Sequence, residues 1–192
     1  MERKAWDQIV STAGLVVAIV LISMGAMAIY GGNFGRDNVR DRLTPEQVFF
    51  APYDAMSPQE QATLGSFAGQ QVTTGPQAEA FARYIAGHLQ EVNGGKTYAE
   101  TSAAARVEGI PADQAAALAA KADILFKGET LRSIMLNAYG WWTVATIALW
   151  AGIVMVIAGI VLLVLAILGL RHARRADAEV VLDQVQTVPV NA

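Results

Sequence analysis

The chain has 192 residues, of which 54% are hydrophobic, and its formal net charge is −3 at pH 7. This acidic balance argues against a nucleic-acid-binding protein, because such proteins need a basic surface to neutralise phosphates. The chain contains no cysteine, which excludes disulfide bonds, thiolate nucleophiles and thiolate metal sites.

The first element along the chain is an uncharged apolar run at residues 9–31, preceded by a short polar tail at residues 1–8. A helix of this length can cross a hydrocarbon core of about 30 Å. Ala26-Met27-Ala28 matches a signal-peptide cleavage pattern, but the run is long for a signal peptide, so an uncleaved transmembrane helix is favoured. The stretch Gly31-Gly32-Asn33-Phe34-Gly35 predicts a flexible exit from the bilayer.

Residues 32–138 predict a small helical domain. Two sequences combine a capping residue with a proline, Thr44-Pro45-Glu46-Gln47 and Ser57-Pro58-Gln59-Glu60, and each predicts the start of a short helix. Phe49–Tyr53 is the one extended, aromatic stretch, and no alternation typical of strands interrupts the helical pattern elsewhere.

The clearest helix of this domain begins at Pro76 and ends at Asn93-Gly94-Gly95, where the glycines favour a left-handed stop. Thr97 predicts the cap of a further helix. Ile110-Pro111 predicts the start of another helix that runs to Lys127. The domain is therefore expected to be a bundle of helices.

One face of the clearest helix is apolar and includes His88. A histidine on such a face is more often a packed core residue or a residue that lines an interface than a ligand. The residues around it also suggest an apolar cavity that could hold a ligand or a lipid, lined by Phe67, Phe81, Tyr84, Ile85 and His88. An ordinary filled core is the simpler interpretation of the same residues.

The second apolar run covers residues 139–170, carries no charge and ends at Arg171. Because it is longer than a bilayer requires, we predict that its helix extends outside the membrane and joins Glu129–Ala138 as one rod. Residues 171–192 are predicted to be a second polar tail, partly disordered. Aromatic rings and basic side chains near the ends of both runs are predicted interfacial anchors: Trp6, Tyr30, Tyr139, Trp141, Trp142, Arg171, Arg174 and Arg175.

Small residues recur at every seventh position in both apolar runs. A seven-residue period keeps one seam towards a partner helix, and small side chains let two backbones approach closely within lipid. The two runs could therefore pack together as an antiparallel hairpin, or the seams could join several copies of the chain. The seam residues are Ser11, Ala18, Gly25, Gly32, Ala145, Gly152, Gly159 and Ala166.

The distribution of basic residues predicts the orientation. Basic side chains of both tails lie directly against the apolar runs, whereas long loops cross a membrane largely regardless of their charge. We therefore expect a multi-pass plasma-membrane protein with both termini in the cytoplasm and the domain at residues 32–138 outside it.

The sequence offers no recognisable chemistry. The two histidines, His88 and His172, are predicted on opposite sides of the membrane, so they cannot share a metal ion. A nucleophile elbow and a phosphate-binding lysine loop are both missing. We therefore predict that the protein is not an enzyme and has no metal site and no cofactor.

Four segments carry a resemblance to known proteins: residues 4–8, 67–75, 94–98 and 128–139. They read KAWDQ, FAGQQVTTG, GGKTY and GETLRSIMLNAY. In these segments the chain resembles a family of two-span membrane proteins of unknown function found in actinobacteria. Members are sometimes labelled aromatic ring-opening dioxygenases, but that label needs an iron site that two separated histidines cannot build.

The leading hypothesis for function is a non-catalytic accessory or scaffolding subunit of a larger complex, for example a respiratory or a secretion and envelope-assembly complex. Two other hypotheses remain open: an extracytoplasmic ligand- or lipid-binding sensor, and a self-assembling membrane oligomer. The expected partners are the lipid bilayer and other membrane subunits or copies of the chain, with no nucleic acid.

Overall fold

The computed structural model describes the backbone of residues 2–186 and the side chains of residues 6–172 and Arg174. Within that part of the chain the fold is all-helical, as predicted, and contains no strand. The α-helices are α1 (Glu2–Leu43), α2 (Pro58–Leu64), α3 (Gly75–Asn93), α4 (Tyr98–Ala104) and α5 (Ala112–Gln186), joined by 3₁₀ turns at Thr44–Glu46, Tyr53–Ala55 and Gly65–Phe67.

The described chain divides into two compact units. The first unit contains residues 2–32 with residues 147–186, and the second contains residues 33–146. Two helices are long and apolar enough to cross a membrane, over Trp6–Glu46 and Ala112–His172. In each, only 11% of the most apolar window is buried inside the protein. They are therefore unlike the core helices of a soluble domain, which bury their apolar faces.

The first helix is longer than its apolar run, because α1 continues without a break to Leu43. The flexible exit predicted at residues 31–35 is therefore wrong: Gly32 is buried, and Gly35 packs against Ala145, where an added Cβ would lie 2.8 Å from the alanine Cβ. A short helix begins at Thr44 as predicted, but it is a 3₁₀ turn over Thr44–Glu46 and the Thr44 side chain does not cap it. The Thr44 hydroxyl instead donates to the carbonyl of Arg40 at 2.8 Å, at the end of α1.

The last helix also joins segments that were expected to be separate. α5 begins at Ala112 and runs through the position of Lys127, where a helix was predicted to end. Gly140, the one potential breaker between Glu129 and Trp150, lies within the helix. The predicted continuity between Glu129–Ala138 and the apolar run is thus confirmed.

In the first unit, the two helical segments contact each other through small residues. Ala18, Gly25, Gly152, Gly159 and Ala166 are buried, at the seven-residue spacing seen in the sequence. A Cβ added to Gly152 would lie 2.6 Å from the carbonyl oxygen of Gly25, so these backbones are almost in contact. Such a close approach increases dispersion contacts and requires glycine at both positions.

The same contacts extend along both segments in a consistent order. Gly169 packs at Ser11, Gly159 packs at Ile22, and Gly152 packs at Gly25. Early residues of α1 therefore contact late residues of α5.

The second unit has an aromatic core built around a short pair of extended segments. Val72 N–H donates to the carbonyl of Val48 at 2.8 Å, and Phe50 N–H donates to that of Gln70 at 3.0 Å. This pairing brings Phe50 into the core, where it is 3% exposed. Leu64, Val72, Ala78 and Met135 belong to the same buried cluster.

The N-terminus of α3 rests on a tryptophan of α5 in the second unit. Trp142 is 7% exposed, and the space where a side chain at Gly75 would lie is already filled by its ring. On the same ring lies the guanidinium of Arg36, 4.6 Å from its centroid. Cation–π contacts of this kind add about 0.5–2 kcal/mol.

The predicted caps of α2 and α4 and the predicted stop of α3 are confirmed by the structure. Ser57 and Thr97 cap α2 and α4 in capping boxes with Glu60 and Glu100. α3 ends at Gly94, in the left-handed conformation with φ 57°. Capping satisfies backbone N–H groups that a helix cannot pair internally, which explains why these short helices form where the sequence places them.

We predict that Gly152→Ala destabilises the first unit by about 1–3 kcal/mol, because the new methyl group would force apart two touching backbones. The matched control is Gly31→Ala, where a Cβ meets nothing within 4 Å. That change should be neutral or stabilising by up to about 1 kcal/mol through helix propensity. Thermal unfolding in mild detergent, followed by circular dichroism, measures both. Equal effects of the two changes would contradict the close contact.

Candidate functional site

The residues proposed to line an apolar cavity separate into two groups in the structure. The Phe67 ring stacks on Phe50 with 5.4 Å between centroids, and Phe81 meets the other side of Phe50 edge-on at 5.4 Å. These rings fill the core of the second unit, which matches the simpler interpretation of a packed core. Ile85 is half-buried on α3.

Tyr84 and His88 lie instead on an open groove between α2 and α3, with a volume of about 680 Å³. Both apolar and charged side chains line it. The lining residues are Ala51, Ala55, Met56, Ser57, Gln59, Glu60, Thr63, Leu64, Arg83, Tyr84, Gly87, His88 and Glu91. A groove of this volume falls in the range of about 300–1,000 Å³ that is typical of small-molecule sites.

His88 is not the packed core histidine that its position on an apolar face suggested. Its side chain is 53% exposed. The ring lies 4.4 Å from that of Tyr84, centroid to centroid, and its Nδ1 lies 3.9 Å from Glu60 Oε1. The short helix α2 covers only part of this face of α3, so the histidine borders the groove.

Glu60 is held in place by the N-terminus of its own helix. Its Oε2 accepts a hydrogen bond from the backbone N–H of Ser57 at 2.7 Å, while the Ser57 hydroxyl accepts from the backbone N–H of Glu60 at 3.3 Å. Hydrogen bonds from the side chain and backbone of Ser57 hold the pKa of Glu60 below its ordinary value, with a smaller contribution from His88. The carboxylate is therefore ionised at neutral pH and fixed at the groove.

Two further charged groups of α3 reach the groove. Arg83 Nε lies 2.9 Å from Glu79 Oε1, one helical turn earlier, so its charge is paired. Glu91 also lines the groove and is exposed. The groove therefore contains fixed negative charge beside aromatic rings.

The described residues contain no group of three histidine, cysteine or acidic side chains that could hold a metal ion. The groove offers hydrogen-bond acceptors, two aromatic rings and the apolar residues Met56 and Leu64.

The predicted seam residues lie where helix packing needs them. Ala18, Gly25, Gly32, Ala145, Gly152, Gly159 and Ala166 are buried, and Ser11 is half-buried. In the first unit, Gly25 faces Gly152, and Gly159 faces Ile22. These glycines are used within one chain, which leaves them unavailable to a second copy in this structure.

Most of the predicted interfacial anchors are exposed in the structure, and one of them is buried. Trp6, Tyr30 and Trp141 are exposed by 66%, 74% and 64%. Tyr139, Arg171 and Arg174 are exposed as well, and Arg175 lies outside the residues whose side chains are described. Trp142 differs from its prediction, because it is buried under Arg36 in the second unit and cannot act as an interfacial ring.

Leu131 and Ile134 belong to an apolar stripe that the sequence places on this helix, and the structure leaves both side chains exposed. Ile124, Leu131 and Ile134 are 48%, 51% and 55% exposed. Their spacing of seven and three residues places them on one side of the helix. The sequence pattern resembles that of a core-facing helix, and the structure shows that the second unit leaves about half of each of these side chains exposed.

Comparison with known proteins yields no match: neither a protein-family model, nor a curated protein, nor a solved structure matches this chain.

The Glu60 capping box makes the second unit sensitive to acid. Because the folded-state pKa of Glu60 is lowered, the ionised cap stabilises the fold above about pH 4.3, the ordinary glutamate value, and this contribution is lost as the pH falls through the lowered pKa. Glu60→Gln should therefore lower the midpoint temperature of thermal unfolding at pH 7. The difference in midpoint temperature between this variant and the unmodified protein should become smaller towards pH 3.

The related change Ser57→Ala should lower the free energy of unfolding by about 1 kcal/mol at pH 7, because it removes the acceptor for a helix N–H. Thermal unfolding at pH 7 and pH 3 measures both variants. Glu108→Gln, at an exposed loop residue outside both capping boxes, is the matched control. A Glu60→Gln difference that stays constant with pH would contradict the role assigned to this carboxylate.

Proposed function

We propose that this protein is a non-catalytic integral membrane protein that acts as an accessory or scaffolding subunit of a larger plasma-membrane or cell-envelope complex. The proposal begins from the first unit, whose helices expose large apolar side chains on most sides. Ile9, Val16, Met27, Val154 and Leu165 are among those at least 56% exposed. Water would disfavour so large an apolar surface, whereas lipid chains solvate it.

An antiparallel hairpin accounts for the contacts between the two apolar segments. Because residues near Ser11 pack at Gly169 and those near Gly25 pack at Gly152, both ends of the chain belong on one side of the membrane. Arg171 and Arg174 follow the second apolar run directly and favour the cytoplasm for that side. The second unit is then extracytoplasmic. This topology agrees with the actinobacterial two-span family that the sequence resembles.

The scaffolding role is carried by the exposed stripe formed by Ile124, Leu131 and Ile134 on α5. These side chains belong to the second unit and precede the apolar run from Thr143 to Leu170. Exposed aliphatic side chains in a row on a helix fit the apolar face of a second helix, and central aliphatic contacts surrounded by charges are typical of interfaces. Asp123, Lys127 and Arg132 supply such charges along α5.

A second function, an extracytoplasmic ligand-binding module, is favoured by one observation: the groove at Tyr84 and His88. The apolar cavity first expected at Phe67 and Phe81 is not its basis, because those rings pack against Phe50. The two functions are compatible, since the groove lies between α2 and α3 and the stripe lies on α5.

Site-specific photo-crosslinking tests the scaffolding role. We expect benzoylphenylalanine at Leu131 or Ile134 to form an adduct with a distinct membrane protein in native membranes, because these positions face the partner helix. Glu129 is exposed on the same helix, about 140–160° around from both positions, and is the matched control that should give little adduct.

Purification from native membranes in mild detergent provides the second readout. The same partner should be recovered with the unmodified chain, and Leu131→Glu should reduce its recovery at least about tenfold, as expected for a charge placed in an apolar interface. A chain that purifies alone, with equal crosslinking from Leu131 and Glu129, would rule out the proposed role.

A further inference from the structure

The groove between α2 and α3 is dominated by negative charge. Of its charged side chains, Arg83 is neutralised by Glu79 at 2.9 Å. The carboxylates of Glu60 and Glu91 therefore set the sign of the local potential. A ligand that carries a positive charge would be attracted to this groove, and an anion would be repelled.

Glu60 presents one oxygen to such a ligand. Its Oε2 is engaged by the Ser57 N–H at 2.7 Å, which fixes the carboxylate, while its Oε1 lies 3.9 Å from His88 Nδ1. That second distance is too long for a hydrogen bond. Oε1 can therefore accept a hydrogen bond from a group that approaches from the groove.

The remaining surface of the groove suits the body of an organic cation. The rings of Tyr84 and His88 lie 4.4 Å apart and are tilted by 44°, so they form an aromatic wall. Cations bind favourably over the face of a tyrosine ring. Met56 and Leu64 are the buried apolar residues of the lining and can contact an aliphatic chain.

We propose that this groove binds an alkyl-guanidinium or alkyl-ammonium group, with its charge between the carboxylates of Glu60 and Glu91 and its aliphatic chain towards Met56 and Leu64. The inference rests on the second unit alone and does not depend on the proposed membrane role. A free small molecule and an arginine or lysine side chain of another protein supply the same chemistry.

The His88 imidazole can report directly on ligand binding in the groove. The chain has only two histidines, so His172→Gln leaves His88 as the single imidazole. In the full-length His172→Gln protein, labelled with ¹³C-histidine and held in detergent micelles, titration with agmatine should shift the His88 resonances in a saturable way. Butyrate, of similar chain length but opposite charge, should cause no saturable shift.

Variants test the two carboxylates separately. Glu91→Gln and Glu60→Gln should each weaken agmatine binding about two- to fivefold, as expected for partly exposed charge pairs, and the double variant should weaken it about tenfold. Glu91 takes no part in the capping box, so its variant remains informative if Glu60→Gln weakens the fold. Glu108→Gln is the control and should leave the affinity unchanged.

A blocked tripeptide with a central arginine distinguishes the two sources. If the tripeptide binds at least tenfold more tightly than agmatine, the ligand of the groove is a side chain of a partner protein. If it binds equally or more weakly, the ligand is a free small molecule. Both results support the binding site. No saturable shift of His88 with either probe, or a shift that Glu60→Gln and Glu91→Gln both leave unchanged, would overturn the inference.

Discussion

The close contact between Gly25 and Gly152 is the constraint on which the first unit depends. Lipid chains are as apolar as leucine, so two helices in a bilayer gain little from burying apolar side chains and must instead bring their backbones together. A side chain at either position would occupy the space of the opposing backbone, with a separation of only 2.6–2.7 Å from its carbonyl oxygen. Glycine is thus required at both positions by packing and not by backbone conformation.

The second unit uses a different set of interactions, because its short helices could not persist alone. α2 has seven residues and α4 has seven residues, well below the length at which isolated helices are stable in water. Capping boxes at Ser57 and Thr97 satisfy free N–H groups of these helices, and Phe50 anchors the segment between α1 and α2 in the core. The short length of α2 also has a functional consequence, since it leaves the groove beside His88 uncovered.

Signals that act within a few residues could be predicted from the sequence. The caps at Ser57 and Thr97, the left-handed stop at Gly94 and the continuity of α5 through Gly140 all follow from local preferences and agree with the structure. Features decided by distant residues could not. Gly35 was expected to be flexible, but it is helical because it packs on Ala145, 110 residues later in the chain.

The candidate site illustrates the same limit. Periodicity correctly placed Phe81 and His88 on one side of α3, but it could not indicate that Phe50 packs on the first while the second stays about half exposed. Likewise, Trp142 has the sequence context of an interfacial anchor, and only the contacts with Gly75 and Arg36 place it in a core. Whether an apolar side chain is buried depends on which elements reach it, and a single sequence does not contain that information directly.

The most direct test of the central claim, a hairpin with both ends on one side of a membrane, uses the absence of cysteine from the chain. Single cysteines introduced at the exposed positions Lys96 and His172 can be labelled in intact cells with a maleimide that does not cross lipid. The account predicts that Lys96→Cys reacts in intact cells and that His172→Cys reacts only after the membrane is permeabilised. Labelling of both positions in intact cells, or of neither, would contradict it.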